Sequence, residues 1–404
     1  MRKRPASPPS ETAPLFRAEP RRPVAPPADT ITAPASDTEN AATRRRALFG
    51  GTGLAAAGTA LAAPALAQAQ PALRWRLTSS YPRSLDAIYG AAEVFSRAVA
   101  ELTDDRFQIR VFSAGEVAPP LQALDAVQSG SVECAHTTSF FYTGKNEAFA
   151  IGTGLPFGLN TRQQNAWMYE GGGIDLMNGL YNKFNVHGMP LGATGAQMGG
   201  WFRREVNTAA DLQGLKMRIG GLAGQVLQRL GGVPQQLGAA DLYPSLERGT
   251  IDAVEWLGPY DDEKLGFFRV ARFYYYPAWW EGAASTHLFV NLDQWNALPR
   301  SYQAAVRTAC AEATHWMVAR YDTRSPEALR RLVAQGTQLR PFSREMLDAC
   351  LRVELELERE IAARNPDFAR IHESWSKARD EMRLWHRIAE LSFDNYVSAA
   401  AARR

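Results

Sequence analysis

Cysteine is scarce in this 404-residue chain, which carries three: Cys134, Cys310 and Cys350. An odd number at wide, irregular spacing allows at most one disulfide and excludes a small domain stapled by cysteines. Cys134 lies in an apolar, strand-like run, where a free cysteine is a small core residue rather than a nucleophile. For Cys310 and Cys350 the sequence leaves pairing and non-pairing both open. Long apolar runs are also lacking. Beyond an N-terminal leader no stretch reaches about 18 uninterrupted apolar residues, so no transmembrane helix is expected after it. Catalytic signatures are missing as well: there is no Gly-x-Ser-x-Gly elbow, no His-Glu-x-x-His and no Cys-x-x-Cys. His372-Glu373 begins like a zinc-binding helix but has no second histidine. Nor is there an excess of one charge. The whole chain has 45 Lys/Arg against 42 Asp/Glu, and residues 1–67 hold nine of the former and five of the latter, leaving 36 against 37. A near-neutral remainder without clustered lysines or arginines excludes a nucleic-acid or anionic-membrane footprint.

What the chain does have begins with its leader. Residues 1–40 hold nine of the 24 prolines and little aliphatic content, a composition that cannot offset the entropy of ordering. Residues 1–43 therefore read as disordered, or as lying upstream of the true start. Arg44-Arg-Arg-Ala-Leu-Phe opens a basic head followed by an apolar, small-residue stretch ending in Ala65-Leu-Ala67, the pattern of a signal peptide over 44–67. The arginine run suits a twin-arginine signal and the general export route alike. Either implies a periplasmic, exported protein.

With 46% apolar residues over this length, the remainder can bury a sizeable core in two or three domains. Strand-like and helix-like patterns alternate, which predicts an α/β fold. Leu73–Ser79 and Phe107–Phe112 read as strands around a helix over 85–102, and 132–138 as a third strand. The glycine-rich run 188–200 reads as a crossing into a second lobe. There 216–219 and 253–257 are expected strands, and 221–230 and 239–248 helices. Segments 273–280 and 286–292 read as strands returning across a hinge, and 301–332 and 344–364 as helices. Phe368 to Ala402 is a long amphipathic stretch whose apolar face needs a partner.

Arg218 stands at the end of the apolar strand pattern and opens onto Gly220 and Gly221. A guanidinium is permanently charged and offers a rigid donor fork suited to a carboxylate through two parallel hydrogen bonds. Its partner is either a protein carboxylate, in a structural ion pair, or a ligand. Gln197, in Gly-Ala-Gln-Met-Gly-Gly-Trp-Phe, lies twenty-one residues upstream, and Glu255-Trp256 thirty-seven downstream.

These runs in this order, together with Ser79-Ser-Tyr-Pro-Arg-Ser-Leu-Asp86, Phe112-Ser-Ala-Gly-Glu116, Pro234-Gln-Gln236 and Trp279-Trp-Glu-Gly282, resemble the periplasmic solute-binding subunits of tripartite ATP-independent periplasmic (TRAP) transporters, the DctP-type family. The match is nearest to the 2-oxo-acid-binding, TakP-like subgroup, and covers roughly residues 74 to 395. The resemblance implies a two-lobed periplasmic-binding-protein fold with hinge strands and a long C-terminal helical region. Lobe 1 would occupy 68–190, 191–290 would be mostly lobe 2 with the hinge strands, and 291–367 would supply helices completing the lobes. Residues 368–404 would be a C-terminal dimerisation segment, making the protein a homodimer.

The resemblance also implies a site. Arg218 would anchor a small 2-oxo or 2-hydroxy carboxylate such as pyruvate or lactate. Gln197, Glu255 and the Trp256 carbonyl would hold a hard cation, which takes oxygen ligands. Glu281 is implied at the same place, and His136 and Thr137 as first-lobe substrate contacts. Trp279, Trp280, Tyr243 and Phe157 are candidate pocket walls or simple core. A monoanionic ligand, Arg218, Glu255 and sodium cancel in charge; with Glu281 added, calcium rather than sodium closes the balance. Sodium is the expected ion and calcium the alternative, and the ligand would pass to the transporter's membrane subunits. A sensing receptor with a signalling partner is an alternative of the same binding class. The rival class is a metal-assisted enzyme on oxo acids with Glu255 as base, but a neighbouring arginine is expected to lower a carboxylate's pKa and leave such a base poorly poised.

Overall fold

The structure, a computed structural model, describes residues 71–403; the leader expected over 1–43 and 44–67 lies outside them. Two sheets organise the chain. The first contains β1 (Leu73–Ser79), β2 (Phe107–Phe112), β3 (Cys134–Thr138), β4 (Val186–Ala193) and β10 (Ser285–Asn291), in the order β2-β1-β3-β10-β4. The second contains β5 (Trp201–Phe202), β6 (Lys216–Arg218), β7 (Val233–Gln235), β8 (Ala253–Val254), β9 (Phe273–Tyr276) and β11 (Gln338–Pro341), in the order β11-β9-β5-β8-β6-β7.

β1 runs parallel to both β2 and β3, with helices as crossovers, the expected consequence of strand and helix patterns in alternation. β10 is antiparallel to β3 and β4, and all seven of its residues are buried, as befits a strand covered on both faces. β1, β2 and the helix Arg344–Arg364 have the bounds expected from sequence. The other elements shift at their ends for local reasons. β9 stops at Tyr276 because Pro277 has no amide to donate. β8 stops at Val254, so Glu255 and Trp256 leave the sheet. The helices Thr161–Tyr169 and Gly173–Tyr181, and the strand β11, had no counterpart in the sequence reading. The first is started by a capping box between Asn160 and Gln163.

The chain passes between the sheets after β4 and again between β9 and β10. The two crossing segments are tied together: Thr194 donates its amide to the Ala284 carbonyl at 3.0 Å, and the Ala284 amide donates to Thr194 Oγ1 at 3.0 Å. The 35-residue helix Arg300–Ala334 packs on β4 and the helix Ile88–Leu102 at one end of its contacts, and on Pro259–Leu265 at the other.

The C-terminal stretch divides in two. In the helix Pro366–His386, capped by Asn365, Phe368, Ile371 and Trp375 are fully buried, and Trp375 Nε1 donates to Gln164 Oε1 at 3.0 Å. Past a π-helical turn, the helix Ser392–Ala401 has no buried residue, and Trp385, Phe393 and Tyr396 are 63%, 65% and 76% exposed. All three cysteines are buried and free, which resolves Cys310 and Cys350 as unpaired. Among the described residues no helix is long and apolar enough to cross a membrane.

Candidate ligand-binding site

β6 and β8 are parallel neighbours in which Arg218 aligns with Val254. That register brings the residue after β8 to the same sheet edge as Arg218, so Glu255, distant in sequence, becomes its neighbour. Ligand sites of open α/β sheets form at such carboxyl ends. Arg218 is 2% exposed and Glu255 3%. Nη1 of Arg218 donates to the Glu255 carboxylate and, at 2.9 Å, to the Glu255 main-chain oxygen. Nε donates to the Leu237 carbonyl at 3.3 Å, and the guanidinium lies 4.9 Å from the Trp256 ring centroid. Nη2 has no protein acceptor among the described residues. Arg218 therefore has the protein carboxylate that the ion-pair reading expects, and its hydrogen bonds run through Nε and Nη1.

Glu281 comes from the crossing segment between β9 and β10, and its Oε1 accepts from Gln197 Nε2 at 3.0 Å. Gln197 Nε2 also donates to Thr194 Oγ1 at 3.0 Å, while Gln197 Oε1 is buried without a hydrogen-bond partner. Arg218, Glu255, Trp256 and Glu281 line one small pocket, with Gln197 bonded to Glu281. Across it stand Tyr81 and Thr138, mutually hydrogen-bonded, and Phe140.

Charge in this space is out of balance. Burial pushes the Glu281 carboxyl up to about 8, and repulsion from Glu255 adds to that, against the opposing effects of Gln197 and Arg218. Burial also raises Glu255, with Arg218 and the Gly220 amide pulling the other way. The arginine does lower Glu255, as expected, but loss of water outweighs it and the net shift is upward. Two buried carboxylates share one guanidinium, and an unpartnered amide oxygen sits beside them. Such a donor set fits a hard cation, which carboxylate and amide oxygens bind readily. Among the described residues no three His, Cys, Asp or Glu side chains cluster as a metal cage; here the donors are two carboxylates and amide-type oxygens.

His136 and Thr137 are not brought to this space. His136 is fully buried within the first sheet, its Nε2 3.1 Å from the Leu191 carbonyl and 3.2 Å from Thr286 Oγ1. Burial lowers its pKa to about 3, with His287 adding to the effect and the Leu191 bond opposing it, so the ring is neutral. Thr137 Oγ1 accepts from Ser80 at 2.7 Å and lies 3.0 Å from Tyr142 OH. Their neighbour Thr138, at the end of β3, reaches the cavity instead. Trp280 lines an adjoining pocket, Trp279 stacks on Phe157 at 5.9 Å, and Tyr243 bonds Glu247 at 3.2 Å. Sequence reasoning gave no role to Tyr81, Thr138, Phe140 or Thr194. The signal for Tyr81 and Thr138 was their place at the carboxyl ends of parallel strands.

Two α/β lobes joined by crossing strands, with a small, charged, buried space at the strand ends, define a two-lobed solute-binding protein. Residues 78–365 match the family model described as bacterial extracellular solute-binding protein, family 7, DctP. A monocarboxylate 2-oxoacid-binding periplasmic protein of Nostoc sp. is 49% identical over 328 residues, covering 81% of this chain and 90% of that protein. A TRAP transporter solute-binding protein of Bordetella bronchiseptica RB50 is 50% identical with a TM-score of 0.81, covering 82% of this chain and 99% of its own; its crystal structure is a mixed-occupancy dimer with copurified calcium and picolinate in the occupied site. The TRAP periplasmic solute-binding protein of Pseudoalteromonas atlantica, solved with sodium and pyruvate, is 35% identical with a TM-score of 0.78 over 80% of this chain and 98% of its own. The chain belongs to the DctP family of TRAP transporter solute-binding proteins, non-enzymatic receptors.

Proposed function

We propose that this protein is the periplasmic receptor of a TRAP transporter for a small 2-oxo monocarboxylate of pyruvate size, which it delivers to the membrane subunits. The observation that carries this reading is the buried Arg218, with a free guanidinium edge, facing Glu255 and Glu281 in a closed space beside the unpartnered Gln197 Oε1. Arg218 Nη2 takes the ligand carboxylate. Glu255, Glu281, the Gln197 amide oxygen and the Trp256 carbonyl hold the cation. A cation held by these oxygens would supply positive charge against the two acidic side chains and attract the ligand's oxygens. Relatives solved with sodium and pyruvate, or with calcium and picolinate, support the ligand class and the presence of an ion. Sodium closes the charge count if Glu281 keeps its proton, as its raised pKa favours, and calcium closes it if Glu281 is ionised. His136 and Thr137 act in the core rather than on ligand.

A 2-hydroxy acid such as lactate, held with calcium, is the second reading. Glu281 bears on the calcium part of this reading, since a divalent ion neutralises an additional ionised carboxylate more completely. The exposed apolar face of 384–397 supports a homodimer formed by the C-terminal helices. Calorimetric titration of pyruvate and lactate, each with sodium, calcium or chelator, tests the reading. Cation-dependent heat with pyruvate supports it, and absence of heat with every monocarboxylate sinks it.

A further inference from the structure

Phe140 follows β3 in the turn Ser139–Tyr142 on the first-sheet side, where its amide donates to Thr153 Oγ1 at 3.1 Å and its ring meets Phe141 edge to face at 4.9 Å. Phe140 lines the Arg218 pocket and also a second small pocket bordered by Gly220, Gly221 and Trp280. Phe140, Glu255 and Glu281 are the residues that line both.

The ring rests on bare backbone from the other sheet. A Cβ on Gly220 would lie 2.3 Å from Phe140 Cε2, and the three nearest atoms to it all belong to that ring. Gly220 itself has φ −104° and ψ 178°, extended geometry open to any residue. The Phe140 ring is therefore the nearest obstacle to a side chain at position 220. Gly221 differs, since its φ of +60° favours glycine regardless of neighbours. The same seam continues where Gln236 Nε2 donates to the Phe141 carbonyl at 3.2 Å and where Pro120 lies 3.7 Å from a Cβ on Gly238.

We propose that Phe140, seated on the Gly220 backbone, is the specificity-determining wall of the site: it closes the cavity where the lobes meet and caps the length of the ligand's carbon chain. This rests on the 2-oxo-acid reading above. With the ring in place, the small pocket is expected to favour a short carbon chain. Without it the two pockets merge, and a longer apolar tail gains a lined channel.

The test is a double-mutant cycle on Phe140→Ala and Gly220→Ala, read by calorimetric titration with linear 2-oxo acids of three to six carbons and by thermal unfolding without ligand. Phe140→Ala is expected to shift preference from pyruvate toward the six-carbon acid by about tenfold or more, the size of effect one methylene has in a hydrophobic pocket. Gly220→Ala, which overpacks the seam, is expected to weaken pyruvate binding about tenfold and to lower the melting temperature in the presence of Phe140. Neither loss recurs when Gly220→Ala is added to Phe140→Ala. An unchanged chain-length ranking in Phe140→Ala overturns the wall, and equal melting losses with and without the ring overturn the seam contact. If the wild-type protein binds no 2-oxo acid, the functional reading and the chain-length cap fall together, while the ligand-free melting cycle still decides the contact.

Discussion

Arg218 and Glu255 act as a unit, because removing either leaves the other buried without its charge partner. Arg218→Ala is expected to fold but to lose ligand affinity by about 2–5 kcal/mol, roughly thirtyfold or more, which calorimetric titration would measure. Retained tight binding would remove Arg218 as the anchor. Glu255→Gln is expected to weaken binding in proportion to how strongly the cation contributes; titrations at several sodium and calcium concentrations would show a flattened ion dependence, and an unchanged one would exclude Glu255 as an ion ligand. Arg218 was legible because a charged fork at a strand end is chemically conspicuous. Its pairing with Glu255 was not, since it depends on β6 and β8 lying side by side in register. His136 and Thr137 were misplaced for a related reason. Their burial is set by β3 lying between β1 and β10 in the sheet, a non-local fact that a five-residue strand pattern does not contain.

At the scale of elements, long periodic segments such as Ile88–Leu102, Arg300–Ala334 and Arg344–Arg364 were readable, whereas β5 and β8, two residues each, owe their existence to neighbours. The helix Pro259–Leu265 buries Asp261 and Asp262. Asp262 Oδ2 accepts from Trp201 Nε1 at 3.0 Å and from Tyr274 OH at 2.7 Å, and burial pushes its pKa up to about 7. Against an unfolded value near 3.9, the folded form holds the proton more tightly. This stabilising contribution is full below about pH 4 and is lost as pH rises through about 7. Asp262→Asn should therefore lose less stability than the wild type between those limits in chemical denaturation. An identical slope would contradict the neutral carboxyl. The C-terminal helix makes a sharper contrast. Trp375→Ala empties a fully buried site and should cost about 3–5 kcal/mol. Trp385→Asp should leave monomer stability nearly unchanged but shift sedimentation from dimer to monomer; a persistent dimer would place the interface elsewhere.

For the whole molecule, the two sheets and the crossing segments between them bring Arg218, Glu255 and Glu281 together in one buried, charged space. Composition and alternating patterns were enough to indicate an α/β chain, and ordered motifs the family. The size of the cavity and the identity of its far wall were not readable, because they depend on where two separately folded surfaces meet. The most direct measurement is thermal unfolding of residues 68–404 with pyruvate, with and without sodium or calcium, beside a chelated control. A ligand that binds only the folded protein raises its melting temperature. The expected result is a rise with pyruvate that requires the cation and disappears in Arg218→Ala; no rise with pyruvate or any short 2-oxo acid under any ion condition would contradict the metal-bridged 2-oxo-acid receptor.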